Sequence, residues 1–146
     1  MFEIDPAFDV GSRRLTSLVL SEVRLQLDAR YPWLILIPRV QGARELEDLS
    51  KADRSRLLDE LLITGAAVRA MGKALGRPVA KLNIGLLGNV TPQLHAHVVG
   101  RRPDDAAWPG PVWGAGEATP YAPGDFERAE GAALGALSGE AGCGSP

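Results

Sequence analysis

Apolar and polar residues alternate along residues 18–27. Val19, Val23, Leu25 and Leu27 fall on one side, and Glu22, Arg24 and Gln26 on the other. A period of two predicts a half-buried strand with the charged side chains toward solvent. Asp28-Ala29-Arg30-Tyr31-Pro32 reads as a turn, and Trp33 to Ile37 is an unbroken apolar run ended by Pro38. Such a run predicts a strand covered on both faces. Residues 41–49 read as a loop. Ser50, with Asp53 three positions on, has the spacing of a helix cap, and the period then changes. Leu57, Leu61, Val68, Met71 and Leu75, with Leu58 and Leu62 beside them, form an apolar stripe over a helix at about 51–75. Gly76 supplies the stop. Two further strands are expected at about 79–86 and 93–100, joined by a glycine-bearing loop. Beyond Arg101 the chain turns rich in proline, with Trp108 and Trp113, which predicts irregular backbone over the surface. An alanine-rich helix is expected at 124–138, and a disordered tail at 139–146.

The fourth strand prediction carries the chemistry. Gln93-Leu94-His95-Ala96-His97-Val98 contains both histidines of the chain. Alternation puts Gln93, His95 and His97 on one face and turns Leu94, Ala96 and Val98 inward. The preceding segment, residues 83–92, holds Asn83, Gly85, Gly88 and Asn89. Glycines let a backbone approach a ligand closely, and clustered amides make an anion site without lysine or arginine. A neutral imidazole is a competent nucleophile near pH 7. Together these point to a phosphate presented to a histidine.

Composition narrows the class. The 146 residues are 45% hydrophobic and 23% charged, the proportions of a globular protein with a core of its own. A net charge of −2 argues against nucleic-acid polymers and anionic membrane surfaces as partners. No apolar run approaches the roughly 20 residues of a membrane helix, and Met1-Phe2-Glu3-Ile4-Asp5 is unlike a signal peptide. The single cysteine, Cys143, has no partner for a disulfide. A cytoplasmic protein is expected.

Gly88-Asn89-Val90-Thr91-Pro92-Gln93-Leu94-His95-Ala96-His97-Val98-Val99 resembles the signature of the histidine triad (HIT) superfamily, His-φ-His-φ-His-φ-φ after a glycine-bearing turn. Trp33 to Arg39 is similar to the family's strand ending in proline, and Glu45 to Leu49 with the following helix is similar to its next element. The resemblance implies an α+β fold: a twisted antiparallel sheet of about five strands, one long packed helix and a shorter C-terminal helix, commonly as a homodimer. It places a HIT-like domain at 1–115 and a C-terminal extension at 116–146. It implies nucleotidyl transfer or hydrolysis at the α-phosphate of a nucleotide conjugate, without cofactor or metal. His95 then corresponds to the nucleophile and His97 to a phosphate contact, which if protonated would offset the anionic charge. Asn83, Gly88 and Asn89 correspond to phosphate contacts and Asp28 to a ribose contact. Two positions depart from the pattern: Gln93 stands at the first triad histidine, and Trp33 at a further active-site histidine. Gln93 or a backbone carbonyl would hold the second ring nitrogen of His95. Trp108 and Trp113 read as clamps on the C-terminal segment, as a wall selecting the leaving group, or as a dimer contact. Arg101 and Arg102 read as a solvated strand end, with phosphate ligands as the alternative given their position beyond His97.

Two other classes fit fewer residues. A non-catalytic nucleotide-binding or scaffold protein on the same fold would need only the binding groups. A His-x-His metal site would lack a third histidine and the following carboxylate.

Overall fold

The computed structural model describes residues 1–141. A helical turn α1 (Phe8–Gly11) leads into strands β1 (Ser12–Ser17), β2 (Ser21–Gln26) and β3 (Trp33–Pro38). The long helix α2 (Lys51–Ala74), strands β4 (Lys81–Gly85) and β5 (Ala96–Arg101), and helix α3 (Asp125–Ala141) follow. The five strands form one sheet in the order β1-β2-β3-β5-β4, and every neighbouring pair is antiparallel. No helix among the described residues is long and apolar enough to cross a membrane.

The two sheet faces bury different cores. Val23, Leu25, Leu34, Leu36, Ala96 and Val98 point to one face, where Leu57, Val68 and Met71 of α2 and Ala129, Ala133 and Leu137 of α3 cover them. Each fully buried aliphatic side chain there contributes about 1.5–3 kcal/mol. Gly100 lets α2 settle on the sheet, because a Cβ at this position would lie 2.6 Å from Val79 Cγ2 and 3.0 Å from Val68 Cγ1. On the opposite face Trp33, Ile35, Ile37 and Val99 pack with Phe8, Tyr31 and Val112, and Phe2, Ile4 and Trp113 close over them. That face carries the histidines. Its cover consists of the N-terminal residues 1–11 and the proline-rich segment after β5.

Several elements begin or end elsewhere than the pattern predicts. Residues 18–20 form the β1–β2 turn, in which the Leu18 N–H donates to Ser21 O, and Val19 is 75% exposed. The polar side of β2 is not solvated. Glu22 and Arg24 are buried beneath the N-terminal segment, where Arg24 bonds Glu22, Asp9 and Ser12. β1 has no apolar alternation to announce it, since its residues are Ser-Arg-Arg-Leu-Thr-Ser. Ser50 caps α2 as expected, accepting from the Asp53 N–H at 3.1 Å. The stripe of α2 is only partly core. Leu57, Val68 and Met71 are buried while Leu58 and Leu62 stay exposed, and Glu60 and Thr64 turn inward instead. Glu60 accepts the backbone N–H groups of Leu20 and Ser21 at 2.9 Å each, which satisfies its carboxylate and ties the β1–β2 turn to the helix. α3 continues through residues 139–141, where a disordered tail was expected; the rest of that tail, 142–146, lies outside the described residues.

Candidate functional site

β5 enters the ladder at Ala96, opposite Leu36, so His95 lies just before the strand and His97 within it. Both rings are nearly enclosed, at 5% and 8% exposure. Their centroids are 4.8 Å apart, edge to face. The Phe8 ring meets His95 at 4.9 Å, and the rings of Trp33 and Trp113 flank His97 at 5.6 and 5.5 Å.

His95 Nδ1 lies 2.7 Å from the carbonyl oxygen of Gln93. A carbonyl only accepts, so Nδ1 carries a proton, and in the neutral ring Nε2 presents its lone pair. A backbone carbonyl, one of the two candidates named from the sequence, therefore orients His95. The Gln93 side chain is committed elsewhere. Its Oε1 accepts the Asp5 N–H and its Nε2 donates to Glu3 O, each at 2.8 Å, which latches the N-terminal segment across the histidine face.

His97 accepts a hydrogen bond at Nδ1 from Trp33 Nε1, at 3.0 Å. Burial, reinforced by the nearby His95, pushes its pKa down to about 4. The ring is neutral at pH 7, so the protonated form considered from the sequence is disfavoured: removing the ring from water penalises the charged form and no carboxylate compensates.

A polar cavity of about 160 Å³ opens beside His95, lined among others by Gly88, Asn89, Gln93, Arg44 and Glu45. The sequence reading missed Arg44 and Glu45 within a plain loop. Asp48 Oδ2 accepts both of their backbone N–H groups at 2.9 Å and so fixes the turn that brings them to the cavity. The sequence signal for this turn is an aspartate four and three positions after the two residues.

Three other residues expected as contacts are not among those lining this cavity. Asp28 is 2% exposed, and its carboxylate accepts from Arg30 and from the Thr119 N–H, pinning the 115–119 segment. Asn83 Oδ1 accepts from Arg101 Nη1 at 2.8 Å. Trp108, 38% exposed, lies under the Arg101 guanidinium, and it is Trp113 that touches His97. Arg101 itself is buried to 1% exposure rather than solvated. It grips Asp105 at 2.7 and 3.0 Å and bonds Gly110 O. Burial alone would raise the Asp105 pKa, but hydrogen bonds from Arg101 and from nearby backbone hold it at about 2. Among the described residues no three His, Cys, Asp or Glu side chains cluster as metal ligands.

An antiparallel five-stranded sheet with paired imidazoles on one inner strand, entered from a glycine-bearing loop, defines the histidine triad class. The chain belongs to the HIT domain family, whose sequence model matches residues 11–104. It is similar in structure to a histidine triad protein from Bradyrhizobium japonicum, with 33% identity, TM-score 0.86, and 93% of this chain and 98% of that one covered. A histidine triad protein from Sinorhizobium meliloti gives 36% identity and TM-score 0.84, over 94% and 98% of the two chains. One from Marinobacter aquaeolei gives 34% and 0.82, over 95% and 98%. No match was found among curated proteins.

Proposed function

We propose that the protein is a nucleotide hydrolase or nucleotidyl transferase acting at the α-phosphate of a nucleotide conjugate, through a covalent nucleotidyl-His95. The single observation that carries this reading is the fixed tautomer of His95, whose Nδ1–H is held by Gln93 O beside a cavity formed by Gly88, Asn89 and Arg44. In the first step the Nε2 lone pair forms an N–P bond while the bond from phosphorus to the leaving group breaks. The leaving group keeps the electron pair and takes up a proton. In the second step water attacks phosphorus, the P–N bond breaks, and the nucleoside monophosphate departs as His95 regains its lone pair. Covalent catalysis divides one hard displacement into two easier ones. Backbone N–H groups near Gly88 and Asn89 and the Arg44 guanidinium would meet the charge on the phosphoryl oxygens.

Dinucleoside polyphosphates and nucleoside phosphoramidates are the proposed substrates. Monophosphate release from each is expected in the native chain, and a loss of at least about 10³-fold in His95→Ala, as for removal of a nucleophile. Equal release by both proteins would overturn the assignment. A second reading, a nucleotide-binding protein without turnover, is favoured by the closed N-terminal segment: Phe8 covers His95, and Gln93 is engaged at both ends of its amide. Monophosphate binding with no turnover of either substrate would select it.

A further inference from the structure

Trp33 opens β3 opposite Val99 of β5, and its indole reaches His97 from the neighbouring strand. An indole N–H can only donate. The nitrogen it meets, His97 Nδ1, must therefore present a lone pair, and the proton of the neutral ring resides on Nε2. His95 is in the reverse state, since its partner is a carbonyl that can only accept. Two adjacent imidazoles are thus held in opposite tautomers by two fixed partners of opposite polarity. The indole bond is shielded from water, because Trp33 is 6% exposed and His97 8%. The groups facing His97 are Ile35 and Trp33 from β3, Gly85 from β4, Trp113 from the segment after β5, and His95 before its own strand. Of these, His95 alone has an ionisable side chain.

We propose that Trp33 is a positioning residue, whose indole N–H fixes His97 as a neutral Nε2–H donor so that the pair acts as lone-pair nucleophile and hydrogen-bond donor. The catalytic consequence rests on the reading of His95 given above; the tautomer assignment does not. With His97 neutral, the site offers one directed N–H at that position, where an imidazolium would offer a full charge. A fixed donor needs no reorganisation as charge develops on a phosphoryl oxygen. Loss of the indole N–H would leave His97 free to carry its proton on either nitrogen, and only one of the two forms donates from Nε2.

Long-range 1H–15N spectra of the full ¹⁵N-labelled chain at pH 7 test the assignment without any variant. The expected pattern is His97 protonated only at Nε2 and His95 only at Nδ1. Trp33→Phe is expected to bring protonation at Nδ1 into the His97 spectrum. It should also lower kcat for monophosphate release by about 10-fold, the lower end of the cost of losing a partner that fixes a metal-bound imidazole, with KM little changed. Trp33→His, which restores an N–H donor, should recover part of both effects. His97 found with Nδ1 protonated in the native chain, or an unchanged His97 pattern in a folded Trp33→Phe, would overturn the proposal. The expected tautomers in a native chain that turns over neither substrate would contradict the catalytic reading alone.

Discussion

His97 shows how far the surroundings of a residue can move it from its type. In the folded chain its pKa lies at about 4, against the ordinary 6.5, because burial and then His95 disfavour the charged ring. Between those values the unfolded chain binds a proton that the folded chain refuses. Stability is therefore full above about pH 6.5, falls as the pH drops toward 4, and loses nothing further to this group below that. The gap is worth on the order of 3 kcal/mol. Urea unfolding of the native chain and His97→Gln across this range should show the slope largely removed in the variant; equal slopes would contradict it. The histidine pair was legible because alternation and residue type point the same way. The role of Trp33 was not, since its partner lies 64 positions away and only the sheet register brings them together. Asp28 and Asn83 have side chains that could serve a nucleotide, but Arg30 and Arg101 engage them first.

At the scale of elements, the N-terminal segment lies across the histidine face, with Phe8 against His95. Its hold depends on Gln93, whose amide replaces backbone pairing at residues 3 and 5. Each bond contributes about 0.5–1.5 kcal/mol net, so Gln93→Ala is expected to cost about 1–3 kcal/mol. It should also speed hydrogen exchange at the Asp5 amide while leaving amides of β3 and β5 protected. Unchanged exchange at Asp5 would show that the segment is held by its apolar side chains alone. The helix α2 was legible from its cap and period, although Glu60 and Thr64 occupy inward positions that a count of leucines assigns to solvent or to neighbours. β1 and the segment before it were invisible in the sequence. Their order comes from what they pack on: β1 carries no apolar period, and the alternation of Phe2-Glu3-Ile4-Asp5 is too short to announce an element.

Across the whole molecule, the first and last described segments both pack on the sheet. α3 adds Ala129, Ala133 and Leu137 to the core shared with α2, so residues expected as an extension pack within the same body as the strands. The segment after β5 is clamped by Arg101, which links Asp105, Gly110 and Asn83, and it delivers Trp113 to the histidine face. A strand-end arginine gives no hint of this in sequence, because burial of its charge depends on the turn at Asp105 folding back. The result is a histidine pair flanked by aromatic rings, with a small polar cavity beside His95. Whether that enclosure serves catalysis is tested most directly by intact-protein mass after rapid mixing with an adenosine phosphoramidate, for the native chain and His95→Ala. The account predicts an acid-labile gain of one nucleotidyl group in the native chain alone, decaying as monophosphate appears. Monophosphate released with no mass gain on any timescale, or an equal gain in His95→Ala, would contradict it.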